Sequence, residues 1–310
     1  MTLSGMPGLP QNEKLFLEAA AVGDAKKVIE LLAKGVPVDV RDPDDMPWDQ
    51  TALMYAAANG HLEVVRLLLK SGANVQTKDK AIPGEGGGQQ PLHYAMRSKD
   101  VKVIELLLAA GANPYALDKS GDTPMNVAVE EGNVAAVRLL LERGFDPNRM
   151  FVSRRHNPAL CCAVYSENAE ILCSLLEAGA DPNVKDETNS SPLTIAARVP
   201  DKIAVLMVGK LIEAGAEIEH LDEIGSGATA LARAVFARNA ETIKVLIRAG
   251  AGINRVYEDQ GGTLVDAVEK RIRVNAAVDF PESKCAVDEW HVLLNLLLEL
   301  GGKRQSELEL

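Results

Sequence analysis

The stretch Ala81–Met96, AIPGEGGGQQPLHYAM, places Gly84 and Gly86–Gly88 where backbone N–H groups could cradle a phosphate. A Walker-type loop also needs GxxxxGK followed by Ser or Thr, because the lysine neutralises phosphate and the hydroxyl holds magnesium. After Gly88 come Gln89, Gln90 and Pro91, which supply neither. Gly225-Ser226-Gly227 lacks the third glycine of a dinucleotide fingerprint. The five histidines, His61, His93, His156, His220 and His291, include no HxxxH pair, so a zinc-hydrolase site has no foundation. Cys161, Cys162 and Cys173 offer three sulfurs without a fourth ligand and read as small core residues, with Cys285 apart from them. Glu130-Glu131 and Asp44-Asp45 resemble carboxylate dyads, but on so acidic a chain they read as solvated surface. No GxSxG or nucleophile–base set can be assigned to a common pocket. The expectation is a chain with no catalytic residue, no cofactor and no metal.

Composition narrows what could position such residues. The chain has 310 residues, is 47% hydrophobic and only 4% aromatic, so Ala, Val, Leu and Ile must fill its core. That suits stacked helices better than a β-sandwich. A net charge of −11 opposes non-specific binding to nucleic acid or anionic lipid. The cysteines lack CxxC spacing and read as reduced thiols, which points to a cytoplasmic compartment. The N-terminal MTLSGMPGLPQNEK has neither a basic n-region nor an apolar h-region, so no signal peptide is expected. Apolar runs such as VLLNLLLEL fall far short of the ~20 residues that span a bilayer.

An apolar-x-x-Ala signature recurs at Phe16–Ala19, Leu53–Ala56, Leu92–Ala95, Met125–Ala128, Leu160–Ala163, Leu193–Ala196, Leu231–Ala234 and Leu264–Ala267. Its spacings are 37, 39, 33, 35, 33, 38 and 33, a base period of 33 with small additions. Each signature leads into an apolar segment ending in glycine, such as VVRLLLKSG or AVRLLLERG. Within Asp118–Gly144, Asp118–Gly121 predicts a turn, Thr123 a helix cap and Pro124 a first helical residue. Gly132 separates that short helix from a second one striped by Val137, Leu140 and Leu141, and Gly144 ends it. One such pair cannot bury its apolar face alone; stacked copies can.

DxxGxTPMNxA at 118–128, TALMYAAANGHLEVVRLLLKSGAN at 51–74 and QPLHYA at 90–95 resemble ankyrin repeats, and the resemblance extends over roughly Glu13 to Gly301. It implies an all-α solenoid of about eight repeats with β-hairpin or loop fingers. The expected boundaries are 13–41, 42–78, 79–117, 118–150, 151–185, 186–221, 222–256 and 257–303, forming one domain between tails at 1–12 and 304–310. Extra residues fall near Pro43–Pro47, Ala81–Gly86, Arg149–Arg155, Val199–Val208 and Leu221–Gly225. The largest insertion is 272–289, whose start should extend a helix to about Val278 before Pro281 breaks it. In the family, the histidine matched by His93 makes a structural hydrogen bond near the helix start.

The resemblance implies a protein partner held in a concave groove of hairpin tips and first helices. By register, the two residues after each Ala-x pair should be exposed, among them Arg97 and Ser98, Glu130 and Glu131, Tyr165 and Ser166, Arg198 and Val199, and Phe236 and Ala237. Tyr165, Arg198 and Phe236 come from consecutive repeats and should form a ladder about 10 Å per step. Trp48 and Phe151 add rings at finger tips, and Arg149, Arg154, Arg155 and His156 make the second tip basic. Partner-binding candidates are therefore Trp48, Arg97, Glu130, Glu131, Phe151, Tyr165, Arg198 and Phe236. Adaptor, inhibitor, chaperone and effector roles, the last including secretion into a host cell, are all compatible. The protein is expected to be monomeric alone and to use neither nucleic acid nor membrane. The rival reading is an enzyme or enzyme subunit using Asp279, Glu282, Cys285, Asp288 and Glu289 of the insertion. Arg233 and Asp266 stand before their signature alanines, one repeat apart, and predict a stacked ion pair.

Overall fold

Polar caps start the helices. The hydroxyls of Thr123, Ser191 and Thr229 accept the N–H groups of Asn126, Thr194 and Ala232 at the start of first helices. Pro91, Pro124 and Pro192 sit next, where a missing N–H costs nothing. Asp24, Asp100, Asn133, Asn168 and Asn239 cap second helices in the same way. The computed structural model that shows these caps describes residues 10–41, 49–80, 87–149, 157–199, 202–223, 227–257, 261–276 and 281–308, and over 281–286 the backbone only.

The chain divides into two compact units, Met1–Ala159 and Leu160–Leu310. The first unit contains α1 (Gln11–Val22), α2 (Ala25–Ala33), α3 (Ala52–Ala58), α4 (Leu62–Lys70), α5 (Pro91–Ala95), α6 (Val101–Ala109), α7 (Pro124–Glu130) and α8 (Val134–Glu142). The second contains α9 (Ala159–Tyr165, whose first residue ends the first unit), α10 (Ala169–Glu177), α11 (Pro192–Ala196), α12 (Lys202–Glu213), α13 (Ala230–Phe236), α14 (Ala240–Arg248), α15 (Leu264–Ala276), α16 (Pro281–Glu299) and α17 (Gln305–Leu308). In the first unit α1, α3, α5 and α7 pack in one row and α2, α4, α6 and α8 in another. In the second, α11 packs on α13, α12 lies between α10 and α14, and α15 pairs with α16. First helices of five to seven residues, as in α3, α5, α7, α11 and α13, are too short to persist alone, so packing holds them. The product is the all-α repeat solenoid that the repeat signature predicts.

The signature alanines explain how close the rows come. Ala56, Ala95, Ala128, Ala163, Ala196 and Ala234 are all fully buried, where a larger side chain would force the helices apart. Between the paired helices the backbone turns left-handed. Glycine takes that position at Gly23, Gly60 and Gly132, but Glu167 and Arg238 occupy it in the second unit with φ of 54° and 58°.

Two expected features differ. The lengthened sixth repeat appears as α12, of 12 residues where most second helices have nine. Within the segment expected as a C-terminal tail, 304–310, Gln305–Leu308 instead form α17, and Arg304 and Gln305 bond α15. Gln305 N–H donates to Asp266 at 2.9 Å, and Arg304 grips Glu269 through Nε and Nη2 at 2.9 and 2.5 Å. Pro281 opens α16 as its first residue, the position proline tolerates.

Candidate interaction face

The described histidines are spent on the backbone. His93 is fully buried; its Nδ1 accepts the Gln90 N–H at 3.1 Å, so Nε2 carries the proton, facing the carbonyls of Ala116 and Asp122 at 3.1 and 3.2 Å. That ring ties α5 to the next finger, and burial lowers its pKa below the usual value. His61, His220 and His291 bond the carbonyls of Ala21, Asn189 and Val287. Cys161 and Cys162 are buried, and burial pushes the Cys161 thiol up, away from the reactive thiolate. A cavity of about 40 Å³ lies beside Tyr115 and Phe145, lined mainly by apolar and aromatic side chains.

The glycines of the opening stretch have a structural task. Gly87 and Gly88 take φ of 100° and 73°, and the Gly87 carbonyl accepts Lys119 N–H of the following finger at 2.8 Å. Ala81–Gly86 lie outside the described residues.

On the first unit, the exposed ends of the first helices are stitched together by their own polar groups. Tyr94 Oη donates to Asp79 at 2.5 Å and accepts from Gln50 at 2.8 Å. Arg97 donates to Glu131 at 3.1 Å and to Gln89 at 2.9 Å, and lies over the Tyr94 ring at 5.3 Å. Gln89 in turn donates to Asp118 at 3.1 Å. Glu130 stays at the exposed edge; partial burial of its carboxyl raises its pKa, and Asp122, Asp118 and Glu131 add to the rise. Arg97 and Glu131 are thus partners of each other across adjacent repeats.

The second unit presents a different face. Tyr165 is 47% exposed while its hydroxyl donates to Asp186 at 2.5 Å, which leaves the ring edge in solvent. Burial and Asp186 push the Tyr165 phenol up. Burial alone would raise Asp186, but hydrogen bonds from Tyr165, Thr188 and Ser190 hold it below the usual carboxylate range. Arg198 is exposed, and Phe236 is half-buried beneath Arg271, whose guanidinium lies 5.9 Å from the ring centre. Ser98 and Val199, expected to be exposed, are buried; the five-residue α5 and α11 end two residues earlier than the seven-residue first helices beside them. Trp48, Phe151, Arg154, Arg155 and His156 fall outside the described residues, as do Asp44 and Asp45.

The expected Arg233–Asp266 pair is replaced by other partners. Arg233 holds Asp222 at the base of its own finger through Nε and Nη2, at 2.8 and 2.7 Å. Asp266 accepts the N–H groups of Thr263 and Gln305. A buried carboxylate within the same repeat outcompetes one a repeat away, which the register alone does not reveal.

A family profile described as ankyrin repeats in three copies matches residues 15–118, 83–151, 110–186 and 160–259. The chain belongs to the ankyrin-repeat family. A fowlpox virus protein named for its ankyrin repeats is 37% identical over 180 residues, 57% of this chain and 35% of its own length. An Arabidopsis thaliana E3 ubiquitin-protein ligase, KEG, is 28% identical over 75% of this chain and 14% of its own length. The ankyrin repeat and KH domain-containing protein mask-1 of Caenorhabditis elegans is 30% identical over 77% and 8%. This ankyrin-repeat chain therefore spans about a third or less of these relatives. The crystal structure of the human ASB11 ankyrin repeat domain shares the fold, with a TM-score of 0.64 at 23% identity over 76% of this chain and 98% of that one. Ankyrin repeats generally mediate protein–protein interaction. Among the described residues, no helix is long and apolar enough to cross a membrane.

Arg271 and Arg238 are face residues that the register of the repeats missed. The helical extension expected after Leu264 was a usable signal for Arg271, since two turns of helix bring it back to the edge of the signature residue.

Proposed function

We propose that this ankyrin-repeat protein is a non-catalytic binding module that holds a protein partner against the first-helix face of its second unit. The observation that carries this reading is the exposed ring of Tyr165, fixed by Asp186, in register with solvent-exposed Arg198 and half-buried Phe236. Tyrosine and arginine held in place lose little entropy on docking, which is why they dominate interface energetics. Arg97, Glu130 and Glu131 of the first unit serve as a flanking polar edge, and Trp48 and Phe151 as finger-tip contacts. Adaptor, inhibitor, chaperone and effector roles all use such a face.

An enzymatic reading is less well supported. Of the insertion residues it relies on, Glu289 is bonded to Arg238. The alignment to the plant ligase spans 14% of that protein, so its activity does not transfer.

The test is affinity capture with cross-linking mass spectrometry, comparing the natural chain with one carrying Tyr165→Ala, Arg198→Ala and Phe236→Ala. Loss of cross-linked partners with an unchanged circular dichroism spectrum supports the face. Unchanged capture by the folded variant removes it.

A further inference from the structure

We infer, resting on the proposed first-helix face, that the second unit docks an acidic peptide segment bearing an apolar side chain. The chain's net charge is −11, yet the residues that end or extend these first helices are cationic: Arg198 after α11, Arg238 after α13, and Lys270, Arg271 and Arg273 on α15. Among the described residues, Arg198, Lys270 and Arg271 enter no ion pair, whereas Arg238 bridges Glu289. Three of the neighbouring acids are already matched. Glu269 receives Arg304 through two nitrogens, Asp222 receives Arg233, and Asp186 receives Tyr165, Thr188 and Ser190. Exposed Glu167 and Glu187 stand at the Tyr165 end, just past α9 and beside Asp186, and exposed Glu223 follows Asp222. The positive charge is therefore concentrated at the Phe236 end of the face, where Arg271 lies over the ring and exposed Arg198 and Lys270 are also without an ion pair.

The extension of α15 sharpens the point. This helix has 13 residues where α11 and α13 have five and seven, and the residues past Lys270 are half-exposed or exposed, so they add little to the core. What the added turns do contribute is Arg271 over the Phe236 ring and Arg273, 80% exposed at its side chain. A guanidinium stacked on an aromatic ring is held in position with its in-plane N–H donors free for a carboxylate. A partner segment laid along the face would set carboxylates on Arg198 and Arg271 and an apolar side chain against the ring of Tyr165 or Phe236. The chain's overall negative charge does not prevent this, because screening over about 8 Å leaves the local arginines to decide the contact.

The experiment pans a random-peptide phage library against the whole chain and measures selected peptides by fluorescence anisotropy. Enriched peptides should be rich in Asp and Glu with an apolar residue. Their affinity should fall about tenfold or more with Arg198→Glu plus Arg271→Glu. Those two substitutions should also restore binding to a peptide whose acids are replaced by lysine, which a misfolded variant could not do. Peptides that are neutral or basic, lost with Tyr165→Ala and Phe236→Ala but indifferent to the charge reversal, would overturn the acidic-partner inference and leave the face standing. Peptides indifferent to all four substitutions, or no enrichment, would overturn both. Tighter, reversal-sensitive binding of a single-stranded RNA oligonucleotide would overturn the acidic peptide as the occupant.

Discussion

Arg233 and Asp222 form a two-point grip in which Nε and Nη2 meet Oδ2 and Oδ1 at 2.8 and 2.7 Å, with the carboxylate wholly buried. Asp222 also accepts Ala228 N–H at 3.1 Å, so it fixes the finger and the helix that follows. Removing the arginine strands a buried charge, whereas removing a surface partner strands nothing. Arg233→Ala should cost about 3 kcal/mol, against less than about 1 kcal/mol for Arg143→Ala, whose bridge to Glu105 is solvent-exposed. Urea unfolding followed by circular dichroism compares them, and equal costs would show that the grip contributes no more than a surface pair.

Glu167 holds a left-handed backbone with φ of 54° at the position where Gly60 and Gly132 stand in the first unit. Its side chain is exposed, so little packing is lost when it is replaced. Glu167→Gly should stabilise the protein by about 0.5–1 kcal/mol through relief of that conformation. Arg238→Gly relieves the same strain but gives up the Glu289 bridge and the contact over Trp290 at 5.7 Å, and should be near neutral. A thermal melt in which Glu167→Gly unfolds no higher than the natural chain would refute the strain argument.

The period of the alanine signature, its caps and its terminal glycines made the helix pairs legible, because each depends on local geometry that the sequence carries. Partner choice was less legible. Arg97 reads as a free anchor by register, yet Glu131 and Gln89 stand within reach only once adjacent repeats are stacked. Arg233 and Asp266 share a register position, but a finger carboxylate 11 residues away in sequence reaches Arg233 first. The docking of Arg304 on Glu269 depends on the chain returning past α16, which no local pattern encodes.

Gly88 combines two demands that Gly111 separates. Both have positive φ, 73° and 88°, but a Cβ at Gly88 would sit 3.2 Å from Lys119 N, while at Gly111 it meets nothing within 4 Å. Gly111→Ala should therefore cost about 1 kcal/mol from conformation alone. Gly88→Ala should cost more, because the Lys119 to Gly87 bond at 2.8 Å must shift as well. Hydrogen exchange at Lys119 would accelerate in Gly88→Ala and not in Gly111→Ala. Equal costs with equal exchange would mean that the glycine-rich segment is not fastened to the next finger.

His93 makes the fold sensitive to acid. Its pKa lies below the ordinary 6.5, chiefly through burial, and its Nδ1 must stay unprotonated to accept Gln90 N–H. Above pH 6.5 both the folded and the unfolded ring are neutral and the full contribution is present. As pH falls below that value the unfolded chain takes up a proton that the folded ring refuses, so stability is lost at up to about 1.4 kcal/mol per pH unit until the depressed folded pKa is reached. His93→Gln keeps a donor toward Ala116 but cannot titrate. It should be less stable than the natural chain at pH 7.5 yet lose less between pH 7 and pH 5. Denaturant midpoints measured across that range decide the matter. Parallel profiles for the two proteins would show that the acid sensitivity arises elsewhere.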